Sequence, residues 1–304
     1  MYLTIARWPI ELDLQGVDMT SRLGVRYGPF LSPGPPPDPA TPFTFEIRIE
    51  GGARPPGVHP VFVDNPALRA EGTRDRARVV GDGFSAEFDW ERGRGHGSVP
   101  DSLAHVDLLV RIALGVGLLR ERGILLHASG VLRDRFGVVF SGPSGAGKST
   151  IARLCREEGL EVLADEMLAF RVEGLGARFH GSPFWNGAPL SGPAGAVLFL
   201  EKSLRPNVEP LPPARALPRL LAAGGAPVDL ADVQHAFFDA CAAMLRRVPA
   251  YRLEFAPDPG FWQVLDRLPE FAYFRPHAAV PAVPPGPAPV PLAGLAPGAR
   301  RAPR

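Results

Sequence analysis

The sequence predicts an α/β fold, with strands and helices arranged around a phosphate-binding loop, a β-rich region before this core and a proline-rich tail after it. Three observations predict this. Residues 142–149 read Gly-Pro-Ser-Gly-Ala-Gly-Lys-Ser, the pattern G-x-x-x-x-G-K-S, between a β-like run and a helix-like run. An apolar segment ending in Asp165-Glu166 follows, its aspartate 17 residues after the loop lysine. The chain holds 36 prolines in 304 residues, against a usual ~5%. Six fall between Pro33 and Pro42 and nine between Pro276 and Pro303, on either side of the loop region.

Taken in order, residues 1–100 carry short β-like segments at Tyr2–Ile5, Phe43–Ile49, Val61–Val63 and Phe84–Trp90, separated by Gly/Pro-rich loops. The alternation Phe43-Thr44-Phe45-Glu46-Ile47-Arg48-Ile49 suits a strand with one wet face. No chemistry is legible there. From Ser102 the period becomes helical, through Val106, Leu109, Val110, Ala113 and Val116, with Gly123 as the stop signal. Two apolar runs, Ile124–Leu132 and Phe136–Phe140, joined by Arg133-Asp134-Arg135, read as a β-hairpin. A helix from about Lys148 to Glu158, ended by Gly159, leads into a short buried strand, Leu160–Ala164. Further strands are expected at Met167–Val172, Ala177–His180, Ala196–Glu201 and Tyr251–Phe255, with helices over Asp229–Arg247, stopped by Pro249, and Gly260–Leu268. After Arg275 the chain is mostly Ala, Pro, Val and Gly, with little apolar bulk to bury and few backbone donors, so a disordered or extended tail is expected. The organisation read from the sequence is a β-rich region over 1–100, a catalytic domain over 101–270 and a tail over 271–304.

The 33 basic and 32 acidic side chains leave a formal charge of +1, so no bulk preference for nucleic acid or an anionic membrane is written into the chain. Hydrophobic content of 45% with 21% charged residues is that of a globular protein with a sizeable core. Cys155 and Cys241 cannot build a disulfide framework, and neither stands at metal-ligand spacing. The first residues lack the zones of a signal peptide, and the most apolar run, Val106–Leu119, is broken by Asp107 and Arg111 and is shorter than the ~20 residues that span a bilayer. A cytoplasmic protein is expected, with neither nucleic acid nor membrane as partner.

The loop carries the chemistry. Its glycines let the backbone turn tightly and present consecutive N–H groups, the following helix adds the positive end of its dipole, the lysine bridges β- and γ-phosphates, and the hydroxyl after it holds Mg²⁺. Gly142, Pro143, Ser144, Gly145, Ala146, Gly147, Lys148, Ser149 and Thr150 are the expected ATP-binding residues. Only two of the 33 cationic side chains are lysine, Lys148 and Lys202. One of them stands where the motif demands a compact ammonium and where a planar guanidinium would distort the phosphates.

If the loop helix returns the chain to a strand running parallel with Val138–Phe140, Asp165 and Glu166 share the loop's edge of the sheet, where ligands collect in open α/β folds. A carboxylate there can coordinate Mg²⁺ or take a proton from an attacking hydroxyl. In the expected hairpin His127 pairs with Phe140, or with Gly142 if the turn shifts by one residue; either register sets its imidazole beside the loop. No Asn-Lys-x-Asp base-recognition motif is present, which argues against a G-protein. The acid-ended strand directly after the loop helix favours a compact phosphotransferase over the ATPases that carry a long insertion there.

Together, His127-Ala128-Ser129-Gly130-Val131, Gly142 to Thr150, Ala164-Asp165-Glu166 and Gly181-Ser182-Pro183-Phe184 resemble the HPr kinase/phosphorylase superfamily, which shares its nucleotide-binding core with phosphoenolpyruvate carboxykinases. The resemblance covers roughly residues 101–255 and is strongest from Leu125 to Phe184. That family has an active-site histidine and aspartate at closely similar distances from the loop lysine; here they stand 21 residues before it and 17 after. The resemblance implies that Lys148 stabilises the transferring phosphoryl group and Ser149 holds Mg²⁺, with His127 in the active site. Asp165 is implied as the base for a serine hydroxyl, or as a metal ligand with Glu166 taking the other part.

The stretch Gly181–Pro189 has no acid where authentic HPr kinases carry a metal-binding glutamate, and residues 1–100 have no evident counterpart. The chain looks more like the shorter relatives associated with peptide-modifying gene clusters, some of which phosphorylate a serine of a precursor peptide. The expected activity is therefore ATP- and Mg²⁺-dependent transfer of the γ-phosphoryl group to a hydroxyl, serine of a peptide or small protein foremost. The alternatives are a small-molecule kinase and a non-catalytic nucleotide-binding regulatory module. Hexamers are familiar in the family, so a homo-oligomer is compatible with the resemblance.

Overall fold

The computed structural model describes residues 1–35, 41–51, 68–268 and 271. The strand expected at Val61–Val63 and the tail from 272 onward lie outside the described residues. The architecture is mixed α/β, with two large sheets sharing a helical core.

The first sheet gathers β1 (Tyr2–Ile5), β2 (Trp8–Gly16), β3 (Leu31–Ser32), β4 (Phe43–Glu50), β5 (Arg69–Gly72), β6 (Arg76–Gly81), β7 (Phe84–Asp89) and β8 (Arg94–Pro100) in the order β3-β1-β2-β4-β8-β7-β6-β5, with helix α1 (Thr20–Tyr27) between β2 and β3. Strand β4 shows the alternation expected of it: Phe43, Phe45, Ile47 and Ile49 are buried, while Glu46, Arg48 and Glu50 face water. The apolar face packs on helix α2 (Leu103–Arg120), which touches β2, β7 and β8 on this side and β9 (Gly123–His127) of the second sheet. Because both sheets cover it, α2 is buried continuously from His105 to Leu119, and its two charged residues in that span, Asp107 and Arg111, are carried inside with it.

The second sheet runs β12-β10-β11-β15-β14-β13-β9, built from β10 (Ser129–Arg133), β11 (Phe136–Ser141), β12 (Glu161–Ala164), β13 (Met167–Glu173), β14 (Gly176–Gly181) and β15 (Ser191–Lys202). Strand β17 (Ala250–Phe255) adds to β15, and β16 (Asn207–Pro210) adds to β17. The residues of β11 alternate between two packing layers. Val138 and Phe140 face a cluster formed with Ile151, Ala152 and Cys155 of α3 (Lys148–Glu157) and Phe261 and Trp262 of α6 (Phe261–Leu265). Val139 faces the larger core that includes α2, α4 (Pro213–Ala223) and α5 (Ala231–Leu245). Both cysteines are buried and unpaired, and burial pushes each thiol up to about 12. No helix among the described residues is long and apolar enough to cross a membrane.

One expected element is corrected. The run Ile124–Leu132 is not a single hairpin arm: the chain leaves one strand at His127 and enters another at Ser129. The arm β10 does pair with β11, in the register Ser129↔Phe140, through a tight turn in which Asp134 and Arg135 both adopt left-handed backbone. Strand β9 instead pairs with β13, so His127 lies opposite Met167 and not opposite Phe140 or Gly142. Residues Gly123–Leu126 of β9 are apolar and all buried, and a run of that kind carries no period from which a change of partner could be read.

Strand β12 pairs antiparallel with β10, which pairs antiparallel with β11, so β11 and β12 run in the same direction with β10 between them. Their C-terminal ends open on one edge, which carries the loop after Ser141 and the acids after Ala164.

Candidate active site

The loop from Gly142 to Gly147 leaves β11 and enters α3. Gly145 and Gly147 have φ of 77° and 106°, where side-chain-bearing residues are strained. Gly147 is constrained twice, since a Cβ there would lie 2.7 Å from the Phe255 ring. Pro143, Ser144 and Gly145 form the exposed crest, and Ser149 is exposed on the first turn of α3. That turn carries no acid and no side-chain cap, so the positive end of the helix is not neutralised from within. Anions are stabilised at such an end by the dipole and the first N–H groups together.

Lys148 lies across the mouth of the loop, 8% exposed, its Nζ donating to the main-chain oxygens of Gly142 (2.8 Å) and Pro143 (3.1 Å). Burial lowers its pKa, and Glu166 and Asp165 oppose that shift. The ammonium is therefore held by the loop carbonyls and feels the charge of both acids.

Asp165 and Glu166 turn the chain from β12 into β13. The corner is fixed by its neighbours: Ser129 Oγ donates to the Asp165 main-chain oxygen at 2.7 Å, Ala188 N–H donates to Leu163 at 2.9 Å, and Ser182 Oγ donates to Met167 at 2.6 Å. Burial raises the pKa of Glu166, Arg111 and Arg26 act against it, and Asp165 raises it further. His127, opposite Met167, stands beside the same corner. Burial, then Lys148 and Arg111, lower its pKa to about 4, so at neutral pH the imidazole is uncharged.

The structure thus sets Lys148 within electrostatic reach of His127, Asp165 and Glu166, at the edge where the loop and Ser149 lie. It also adds residues that the sequence reading left out. Asp107 of α2 is buried, receives the Tyr27 hydroxyl, and holds Arg26 through Nε (3.2 Å) and Nη2 (2.8 Å). The guanidinium of Arg111 sits 4.8 Å from the centre of the Phe184 ring, and that of Arg26 sits 5.1 Å from the Trp185 ring. Residues 1–100 therefore reach the site through α1. In the sequence Asp107 and Arg111 appear only as charges interrupting an apolar helix; their burial is the signal that marks them, because a charge is carried inside only with partners.

No protein-family model matches the chain, and no curated protein matches it. Among solved structures, the HPr(Ser) kinase/phosphatase from Coxiella burnetii is similar over 47% of this chain and 93% of its own, at 14% identity and a TM-score of 0.30. A likeness this weak says nothing of function, which is read from the residues of the site alone.

Proposed function

We propose that this chain is an ATP- and Mg²⁺-dependent phosphotransferase that moves the γ-phosphoryl group of ATP to a hydroxyl, with serine of a peptide or small protein as the favoured acceptor. The observation that supports it is the shared sheet edge: a glycine loop with an uncapped helix start and a buried lysine faces a carboxylate pair and a neutral histidine. Phosphoryl transfer asks mainly for positioning and charge neutralisation, which these groups can supply. In this reading Lys148 and the loop N–H groups hold the β- and γ-phosphates. The acceptor oxygen forms a bond to the γ-phosphorus as the bond to the bridging oxygen of ADP breaks, and the hydroxyl proton passes to the Asp165 carboxylate. Neutral His127 offers a hydrogen bond without adding charge.

The donor set suits Mg²⁺, which takes one or two carboxylates, a hydroxyl and substrate phosphates. Ser149, Asp165 and Glu166 would hold it, and when bound it neutralises the charge on the transferring group. If Glu166 alone serves the metal, Asp165 is free to act as base; in the exchanged assignment Glu166 takes the proton.

The reading is tested by incubating the protein with ATP labelled at the γ-position and serine-containing peptides. Label should enter peptide in the wild type and be lost in Asp165→Asn, while transfer that survives in that variant removes Asp165 as the base. Label appearing in a low-mass acceptor instead would identify a small-molecule kinase. The acid-free stretch Gly181–Pro189 favours a second reading, a nucleotide-binding regulatory module, for which tight ATP binding with neither hydrolysis nor transfer is the expected result.

A further inference from the structure

The segment Ser182–Pro189 lies against the residues that bracket the Asp165-Glu166 corner. Ala188 N–H is bound to Leu163 on one side, and Ser182 Oγ is bound to Met167 on the other. At the centre of the segment two consecutive residues other than glycine, Trp185 and Asn186, adopt left-handed backbone, with φ of 62° and 57°. That conformation costs on the order of 1–3 kcal/mol at a bulky side chain and persists where the surroundings enforce it. Here its effect is to turn the chain so that Phe184 is buried under Arg111 while the next ring, Trp185, stays 47% exposed. Three of the four tryptophans, Trp8, Trp90 and Trp262, are buried; the exposed one lies in the segment tied to Leu163 and Met167 on either side of the carboxylate corner.

Arg26 is fixed against that ring. Asp107 takes the Nε and Nη2 edge of its guanidinium, so two of the five N–H donors are committed and the end-on edge points away from Asp107. The Arg26 side chain is 20% exposed and lies within electrostatic reach of Glu166. A rigid donor edge and an open aromatic face next to a phosphoryl-transfer centre are what an extended chain needs: oxygen acceptors along its main chain, and an apolar side chain beside the reacting residue.

We propose that Arg26 and Trp185 are specificity determinants for the acceptor. They receive a polypeptide segment with one of its oxygens on the Arg26 guanidinium and an apolar side chain, next to the hydroxyl-bearing residue, on the Trp185 ring. This rests on the phosphotransferase reading for its second partner, the peptide hydroxyl, and its test has a readout that does not depend on transfer. The wall belongs to the N-terminal region as much as to the loop domain, which gives α1 a role in choosing the substrate.

The probe is a serine nonapeptide library with degenerate flanking positions, added to protein saturated with Mg²⁺ and a non-hydrolysable ATP analogue. Acrylamide quenching reports Trp185, because the other three indoles are buried. The library should protect Trp185 from quenching, and the peptides retained should be enriched in apolar residues at one flanking position. Trp185→Asn, a side chain that tolerates left-handed backbone, should lose this enrichment and raise KM for the selected peptides about tenfold, with ATP affinity unchanged. Arg26→Lys should raise KM across the whole library, whatever the flanking residue.

Transfer by the wild type with equal KM and equal selection in Trp185→Asn would overturn the proposal and leave the phosphotransferase reading standing. Protection of Trp185 with no transfer would keep the peptide wall and remove the kinase. Neither protection nor transfer would remove both.

Discussion

The hydroxyl of Ser129 donates to the main-chain oxygen of Asp165 at 2.7 Å and lies 3.3 Å from Oδ1 of the same residue. Ser129 opens β10, the strand between β11 and β12, so this one side chain ties the loop-bearing strand to the carboxylate corner through a shared neighbour. Its side chain is fully buried. Replacing it with alanine leaves a half-buried carbonyl without this donor, a loss of about 0.5–1.5 kcal/mol. Ser129→Ala should lower stability in urea by that amount and lower kcat for transfer, with calorimetric ATP affinity retained. A variant equal to wild type in both measurements would deny Ser129 any part in placing Asp165.

In the proposed reading Lys148 holds the nucleotide. Its Nζ already lies against the carbonyls of Gly142 and Pro143, so the cost of ordering the side chain is met before phosphate arrives. A charge-assisted contact of about 1.5–3 kcal/mol corresponds to roughly 10- to 100-fold in affinity. Lys148→Ala should weaken ATP binding by that factor in calorimetry, and Lys148→Arg should fail to restore it, because a planar fork does not fit the compact space under the loop. Unchanged binding in the alanine variant would contradict the loop assignment.

The division of labour between Asp165 and Glu166 is open to a paired test. With Asp165 as base, Asp165→Asn lowers kcat by about 10²–10⁴-fold and leaves the Mg²⁺ concentration for half-activity in place. Glu166→Gln should shift that Mg²⁺ concentration upward. The opposite pattern would exchange the two roles. Burial raises the pKa of Glu166, so its carboxyl is protonated more readily in acid than an ordinary glutamate. Where Glu166 serves the metal, the Mg²⁺ requirement should therefore rise as pH falls.

How much of this was legible in the sequence follows from where the information lies. The loop, the helix after it and the acid-ended strand are local, and each was readable because turn chemistry, period and charge sit within a few residues of one another. The pairing of β9 was not, because strand partners are non-local and an apolar run buried on both faces has no distinguishing period. Strand β8 escaped for another reason. Its inward positions include Gly95 and Gly97, whose missing side chains are replaced by Phe43, Ala86 and Leu109 from neighbouring elements, so the apolar alternation lies in residues far away in the chain. Asp107, Arg111 and Arg26 were hidden in the same way: each is an ordinary charge in sequence, and only the meeting of α1, α2 and the Phe184-Trp185 turn shows why those charges are inside.

Gly147 supplies a prediction about the loop's shape. Its φ of 106° is a conformation that alanine adopts only with strain, and the added methyl would lie 2.7 Å from the Phe255 ring, itself buried. Gly147→Ala should therefore lower thermal stability, by about 1–3 kcal/mol, and abolish detectable ATP binding, since the N–H groups of the loop turn away from a common centre. Gly159→Ala, at a left-handed position with open space around it, should cost stability by a similar backbone effect and leave ATP binding intact. Equal loss of binding in both would mean that the defect is general and not a property of the loop.

The last prediction concerns acid. His180 is 6% exposed, and its Nε2 lies 3.0 Å from Oε1 of Glu173. Burial is the largest influence on it and lowers its pKa to about 4, against an attraction from Glu173. A histidine depressed in the folded state takes up protons more readily when unfolded, so between the unfolded value near 6.5 and the folded value the unfolded chain binds more protons and stability rises with pH. The contribution is complete above about pH 6.5 and is lost as pH falls toward 4, roughly 1–2 kcal/mol between pH 7 and pH 5. His127 titrates in the same direction for the same reason, with Lys148 and Arg111 adding to burial. Urea denaturation of the wild type should show this loss, and His180→Gln, neutral at every pH, should reduce it. An unchanged pH slope in His180→Gln would show that Glu173 compensates the buried imidazole in full.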